Sequence, residues 1–134
     1  MAKAYRNAPI QLELYRRQLT SFRDLRPGWN GYASRIISPQ AILVARRLLT
    51  LILEQLWIQG DNGAFPDVVV PVPNGGVQFE WRRGVRELEV SIGPTGGLGY
   101  LLSEQNDDTG SESEAEQVSL TEIMHQIAAV VRAP

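Results

Sequence analysis

Two segments that alternate apolar and polar side chains, joined by one short turn, constrain the fold of this chain most. They span residues 77–81 and 88–92, and Arg83 and Gly84 lie between them. Alternation with a period of two is typical of a strand that buries one face, and a short connection containing glycine joins two such strands into an antiparallel hairpin. The centre of the chain is therefore predicted to be antiparallel sheet.

The position of the turn decides which residues face each other across this hairpin. A two-residue turn at Arg83-Gly84 keeps apolar residues opposite apolar residues, whereas a slip of one residue would exchange the two faces. The buried pairs in this register are Val77 with Val90 and Phe79 with Leu88. On the polar face Glu80 lies across from Glu87, with Glu89 diagonal, and like charges in these positions repel unless a cation covers them.

Further strands are predicted on both sides of the hairpin. Residues 68–72 are rich in valine but contain a proline, which has no N–H to donate, so this segment is an edge strand or an irregular one. Asn74-Gly75 is a strong two-residue hairpin signal. The glycine-rich segment 93–97 turns the chain into residues 98–102. A meander of three to four strands is expected.

Three helices are predicted around this sheet. Apolar residues at spacings of three and four indicate an amphipathic helix over residues 9–25. A serine cap followed by proline opens a helix over residues 38–59, and a Ser-x-x-Glu capping box opens another over residues 119–132. The predicted fold class is α+β, in two layers, with the two N-terminal helices and the C-terminal helix packed on one face of the sheet.

Residues 104–116 differ in composition from the rest of the chain, because they include six acids and no large apolar residue. Such a segment buries too little surface to offset the entropy of ordering it. We therefore predict a mobile acidic loop over residues 104–118. It interrupts a single domain of residues 1–134, since a chain of 134 residues has the usual size of one domain.

The residue types present exclude several kinds of site. The chain has no cysteine and one histidine, His125, so the usual zinc ligand sets are excluded, and we expect no metal and no cofactor. Glu80 and Glu87 come nearest to a catalytic carboxylate pair, but they project from the polar face of a small sheet, whereas glycoside hydrolysis requires a cleft. We predict that the chain is not an enzyme.

The N-terminal half indicates a cytoplasmic location. The first six residues lack the apolar stretch of a secretory signal. The most apolar segment, residues 41–58, contains Arg46, Arg47 and Glu54, and charges in the middle of a segment argue against a membrane span and for a core helix.

Charge is divided unevenly along the chain. Residues 1–50 have nine basic and two acidic residues, whereas residues 51–134 have four and thirteen. Arginine binds phosphate through two parallel hydrogen bonds, and aromatic residues between arginines are common on nucleic-acid-binding surfaces. The aromatic residues in question are Tyr5, Tyr15, Trp29 and Tyr32. The dispersal of the arginines and the single lysine favour instead a protein partner, or ion pairs with the glutamates of the sheet.

The segment 28–32, Gly-Trp-Asn-Gly-Tyr, has two interpretations. In the structural one it is a tight turn whose Trp29 and Tyr32 plug the core between the first two helices. In the functional one it is a partner-binding patch, because Trp, Tyr and Arg are frequent at binding hot spots. The two are compatible if one ring is half exposed. The candidate partner-binding residues are Arg16, Arg17, Trp29, Asn30, Tyr32, Arg46 and Arg47.

Several short motifs follow one another between residues 20 and 102. They are Gly28-Trp29-Asn30-Gly31-Tyr32, Ser38-Pro39 opening a long helix, Asn74-Gly75-Gly76, and Glu80-Trp81 in the next strand. This order resembles that of a family of small uncharacterised bacterial proteins with a Gly-Trp-(Asp/Asn)-Gly-Tyr segment, a Gly-Gly turn and a Glu-Trp strand. The resemblance implies a bacterial or phage origin and a small accessory protein. It assigns no functional residue.

These features predict a non-catalytic protein-interaction module that acts as an accessory subunit or small regulator. Its partner is another protein or a second copy of the chain, since an exposed edge strand near residues 68–72 is able to pair into a homodimer. The alternative is a nucleic-acid-binding protein that uses the arginines of residues 1–50. No membrane partner is expected.

Overall fold

The computed structural model describes residues 9–106 and 109–132 of the chain. Within those residues it contains three α-helices and five strands. In chain order they are α1 (Ile10–Ser21), α2 (Pro39–Ile52), β1 (Val68–Pro71), β2 (Val77–Arg83), β3 (Arg86–Ile92), β4 (Leu98–Asn106), β5 (Thr109–Val118) and α3 (Leu120–Val131). A 3₁₀ turn, Phe22–Asp24, follows α1, and a π-helical segment, Leu53–Trp57, continues α2. Of the predicted aromatic set, Tyr5 lies outside the described residues.

The predicted α+β class is confirmed. The strands form one antiparallel meander in the order β1-β2-β3-β4-β5, which is one strand more than predicted. Helices α2 and α3 lie over one face of the sheet, and α1 packs against α2. The core between the layers includes Val77, Phe79, Trp81, Leu88, Val90 and Ile92, all buried.

Both predicted serine caps are confirmed. Ser38 Oγ accepts hydrogen bonds from the N–H groups of Gln40 (3.1 Å) and Ala41 (3.4 Å), and it donates to the carbonyl of Pro94 (2.5 Å). Ser119 Oγ accepts from the N–H of Glu122 at 3.1 Å. Each cap satisfies helix N–H groups that have no partner within the helix, and Ser38 also ties α2 to the turn between β3 and β4.

The predicted loop over residues 104–118 is wrong for the part of it that is described. Residues 104–106 belong to β4, and Thr109–Val118 form β5; Asp107 and Asp108 lie outside the described residues. The composition argument counted only side-chain burial. Strand β5 instead gains main-chain hydrogen bonds to β4 along its length. Its glutamates occupy alternate positions, so their side chains all project into water from one face of the sheet.

The predicted hairpin between β2 and β3 is present, but its register differs by two residues. Val77 lies opposite Ile92 and Phe79 opposite Val90, because the two-residue turn falls at Gly84-Val85. Gly84 has φ 59°, and a glycine with positive φ is favoured at the first position of such a turn. A shift of two residues keeps the buried face, but it places Glu89, not Glu87, opposite Glu80.

The connection between β1 and β2 has five residues, 72–76, not the two predicted at Asn74-Gly75. Val72 donates its N–H to the carbonyl of Gly76 (2.9 Å), and Asn74 Oδ1 accepts from the N–H of Gly76 (2.9 Å). A Cβ on Gly76 would lie 2.2 Å from the carbonyl oxygen of Ile92. The second glycine of the motif is therefore required by the close approach of two main chains.

Strand β1 is an edge strand, as predicted, but its edge is partly covered by α1. Gln18 Nε2 donates to the carbonyl of Val69 (2.8 Å), and the Tyr15 hydroxyl donates to the carbonyl of Pro66 (2.5 Å). Pro71 has no N–H to offer to a further strand. A homodimer made by pairing this edge, the arrangement expected from the sequence, would have to displace the Gln18 contact.

None of the helices in residues 9–106 and 109–132 has the length and apolarity needed to cross a bilayer.

Candidate functional site

The segment between α1 and α2 is held in one conformation by short-range hydrogen bonds. The N–H of Gly28 donates to the carbonyl of Ser34 (2.8 Å), and the N–H of Asn30 donates to the Ser34 hydroxyl (3.3 Å). The side-chain carbonyl of Asn30 accepts from the N–H of Tyr32 (3.0 Å). Gly28 and Gly31 have φ of 77° and 83°, which explains both glycines of the motif.

The two aromatic residues of this segment have different surroundings. Trp29 is half-buried against the core, and its Nε1 donates to the carbonyl of Arg35 at 2.8 Å. Tyr32 is 82% exposed. The predicted plug is therefore correct for Trp29, which packs against the core, and wrong for Tyr32. A ring in that position is available to a partner.

A groove lies between the end of α1 and the first turns of α2. Its volume is about 250 Å³. Pro39, Ile42 and Leu43 form its apolar floor, and Arg23 and Arg46 flank it. Leu43 is 68% exposed although it belongs to the central helix of the core.

Arg46 connects the two helices that border the groove. Its guanidinium donates to the hydroxyl of Thr20 on α1, and that hydroxyl donates to the carbonyl of Arg16 (3.0 Å). Residues 16 and 20 are four apart and so lie on one face of α1, and Arg23 lies in the 3₁₀ turn that follows this helix. Arg23 was not among the predicted residues, although its spacing of seven from Arg16 was visible in the sequence.

The four arginines predicted from the helices do not share one surface. Arg46 lines the groove between α1 and α2, whereas Arg47 lines a second groove, between α2 and α3, with Leu51 and His125. Arg17 is exposed on α1. Arg46 and Arg47 are adjacent in sequence, and consecutive helical residues are about 100° apart around the axis, so neighbours point toward different grooves.

The outer face of the sheet, which the helices leave open, is strongly acidic. The glutamates that the strand register places on it are Glu80, Glu87, Glu89, Glu112, Glu114 and Glu116. Arg82 on the same face makes an ion pair with Glu87. The arginine that pairs with Glu87 therefore comes from the sheet itself, whereas the sequence suggested that arginines of the first half of the chain cover these glutamates.

Glu89 is the carboxyl most affected by this crowding. Partial burial raises the pKa of the Glu89 carboxyl above its ordinary value, and the neighbouring charges of Glu80 and Glu87 raise it further. The three carboxylates border a depression of about 410 Å³. Among the described residues, no group of three or more His, Cys, Asp or Glu side chains is arranged to hold a metal ion.

Comparisons of this chain with protein-family models, with curated proteins and with solved structures find no match.

Proposed function

We propose that this chain is a non-catalytic protein-interaction module that binds a partner protein through the groove between α1 and α2. The observation that carries the proposal is Leu43, a large apolar residue 68% exposed on the central helix, between two arginines. Apolar residues scattered singly on a surface are ordinary, but here the exposed leucine belongs to a concave apolar floor. The resemblance noted in the sequence agrees with a small bacterial accessory protein.

The composition of the groove fits a partner that presents an apolar side chain flanked by carboxylates. Arg23 and Arg46 stand on either side of the floor, and arginine is enriched at protein interfaces because it combines apolar contact with paired hydrogen bonds to carboxylate. Arg46 is already held by Thr20, so less side-chain entropy is lost when a carboxylate binds it.

Tyr32 supports the same proposal as a second contact. Tyrosine is frequent at binding hot spots, and the hydrogen bonds of Asn30 and Ser34 fix the main chain that carries it. A loop that is already ordered loses little conformational entropy on binding.

Nucleic-acid binding is less well supported than protein binding. Tyr15, whose hydroxyl donates to the carbonyl of Pro66, and Trp29 are both half-buried against the core. Of the three predicted aromatic residues that the structure describes, only Tyr32 therefore has an open ring on which a base could stack. Arg46 and Arg47, moreover, face different grooves.

The proposal is tested by affinity capture from the cells in which the chain is native, using the wild type and two variants. Leu43→Asp places a charge in the groove, and Val85→Asp places the same charge on the β2–β3 turn, where Val85 is 49% exposed. We expect a partner protein to bind the wild type and V85D. The purified partner should bind L43D at least about tenfold more weakly, since loss of a hot-spot residue costs about 2 kcal/mol or more.

Both variants change exposed residues, and equal thermal stability of the three proteins checks that neither is unfolded. Equal affinity of the purified partner for L43D and V85D would overturn the proposal. Retention of nucleic acid in place of a protein would favour the alternative.

A further inference from the structure

Strand β5 contributes to the core only at its end, where Val118 packs against it. From Gly110 to Gln117 only Ala115 is half-buried, and the remaining residues are exposed. Its alternate residues Glu112, Glu114 and Glu116 project from the outer face, about 6.8 Å from one to the next. We call these three residues the glutamate ridge. A strand that buries so little apolar surface gains little stability for the fold, so its regular display of carboxylates calls for another explanation.

The ridge does not suit edge-to-edge pairing with another β5. Among the described residues, no element pairs with the outer edge of β5. Two β5 strands paired across that edge in antiparallel orientation would bring one glutamate ridge beside the other, and like charges in neighbouring strands repel. The negative charges of the ridge would instead be complemented by a row of cations.

Such a row is present on the helical layer of the same chain. Arg16 lies on α1 and Arg23 lies in the 3₁₀ turn that follows this helix. Arg46 reaches the same face of α1 at Thr20, between them. Glu112 and Glu116 are about 14 Å apart along β5. The three arginines and the three glutamates are thus equal in number and opposite in charge, and guanidinium and carboxylate form the strongest paired hydrogen bonds available to side chains. Arg16 makes only a loose contact with Glu13, at 3.9 Å, and binding a second carboxylate would cost it no more than that contact.

We propose that the partner in the α1–α2 groove is a second copy of this chain, which inserts its glutamate ridge between Arg16, Arg23 and Arg46. Leu101 of β4, which lies opposite Glu114 on the same face of the sheet, supplies the apolar side chain that the groove floor fits. This inference rests on the proposed function of the groove. The ridge and the groove lie on opposite layers of the domain, so each copy retains a free groove and a free ridge after the first contact. Contacts between unlike surfaces either close into a ring or continue as an open chain.

Two variants that each lack one surface give the sharpest test. The ridge variant carries Glu112→Gln, Glu114→Gln and Glu116→Gln. The groove variant carries Arg23→Gln and Arg46→Gln. We expect wild-type sedimentation coefficients to rise with protein concentration at about 20 mM salt and the dissociation constant to rise at least about tenfold at about 500 mM, because exposed charges are then screened. Each variant alone should sediment as a monomer.

An equimolar mixture of the two variants distinguishes this pairing from a general loss of charge. The ridge variant still has its groove and the groove variant still has its ridge, so the mixture should form a complex of one copy of each that does not grow further. A matched control, Arg17→Gln with Arg26→Gln, removes two positive charges at exposed positions outside the groove and should associate like the wild type.

Three results would overturn the inference: a monomeric wild type at about 20 mM salt, variants that associate as the wild type does, or a mixture without a complex. If one of these is found while L43D still fails to bind a captured protein, the groove binds another protein and the proposed function stands. If L43D and V85D bind that protein equally, the proposed function fails separately.

Discussion

Arg82 and Arg83 are adjacent at the end of β2 but differ in what they hold together. Arg83 makes an ion pair with Asp67 (2.9 Å) and donates to the carbonyls of Gly63 (2.6 Å) and Phe65 (3.2 Å). Its side chain is 25% exposed, and that of Arg82, which pairs with Glu87, is 75% exposed. One arginine thus satisfies the main chain of the loop before β1, and the other makes a surface ion pair.

Replacing each arginine with alanine should separate these two roles. We expect Arg83→Ala to lower the free energy of unfolding by about 2–3 kcal/mol, because hydrogen bonds from a charged group to main-chain carbonyls are lost. Arg82→Ala should lower it by at most about 1 kcal/mol, as is usual for an exposed ion pair. Urea unfolding followed by tryptophan fluorescence measures both, and equal losses would contradict the assignment.

Glu89 gives a pH-dependent prediction at the same scale. Its pKa is raised by burial and by Glu80 and Glu87, so the folded chain binds this proton more tightly than the unfolded chain. The contribution of Glu89 to stability is therefore full below its ordinary value of 4.5 and is lost as the pH rises through the raised value. Glu89→Gln should raise the free energy of unfolding at pH 7 by about 0.2–1 kcal/mol, the size of a cross-strand charge repulsion.

The gain from Glu89→Gln should vanish near pH 3, roughly where carboxyls are protonated in both states. Glu122→Gln is a control at a distance, since Glu122 lies on α3 and accepts a hydrogen bond from Gln126, not from the sheet. Denaturant midpoints at the two pH values decide the matter. A gain that persists unchanged at low pH would show that charge repulsion is not its cause.

At the scale of the elements, helix starts that depend on neighbouring residues were predictable from the sequence. Features that depend on how strands pair, such as the β2–β3 register and strand β5, were not. The starts of α2 and α3 follow from Ser38 and Ser119, whose side chains cap the helices that they precede. The register of the β2–β3 hairpin depended on whether Gly84 takes the first or the second position of the turn. Its φ of 59° fits either position, so the residue type did not decide between them. The π-helical continuation of α2 and the strand β5 have no local signature, since β5 exists because β4 offers it an edge.

The same reasoning separates the candidate site into predictable and unpredictable parts. Trp29, Asn30 and Tyr32 could be selected because glycines and aromatics are adjacent in the sequence. Which of the two rings is exposed depends on packing against the core, which Trp29 makes and Tyr32 does not, and the residue types do not reveal this. The groove combines Arg23 of the 3₁₀ turn with residues of α2, so the shared location of Arg23 and Arg46 could not be read from either segment alone.

Strand β5 should open far more easily than the strands beside the core. Its main-chain hydrogen bonds within the sheet go to β4. From Gly110 to Gln117 its side chains are exposed, except that of Ala115, which is half-buried. Local opening therefore exposes little apolar surface, whereas opening of β2 or β3 exposes buried residues such as Phe79 and Val90. In native-state hydrogen exchange of the monomeric protein, we expect amides of residues 110–117 to exchange at least about 100-fold faster than those of β2 and β3.

Peptides from β4 provide the internal comparison for this exchange measurement, because β4 is bonded to both β3 and β5. The half of β4 that includes Leu98 should keep the protection of the core. Equal protection of β5 and β3 would mean that β5 is covered, for example by the groove of another copy. The protection of the β5 amides should then fall when the protein is diluted.

For the whole molecule, the uneven charge of the sequence becomes a separation between two faces. The arginines of α1 and α2 belong to the helical layer, whereas six glutamates lie on the outer face of the sheet. The sequence indicated the asymmetry between its halves, but not that the sheet itself would stand between the two sets of charges. Charge of opposite sign on opposite faces orients an approaching partner before contact.

This arrangement predicts how the chain behaves toward nucleic acid. A phosphate backbone approaching the helical layer meets arginines divided between two grooves, and one approaching the sheet meets the glutamates. We therefore expect no retardation of a duplex or single-stranded oligonucleotide at about 50 mM salt, where phosphate contacts are strong. The ridge variant is the informative comparison, because it removes acidic repulsion and leaves every arginine in place. Retardation of the wild type that weakens along a steep log–log salt slope would contradict this prediction, since the arginines would then act together despite facing different grooves.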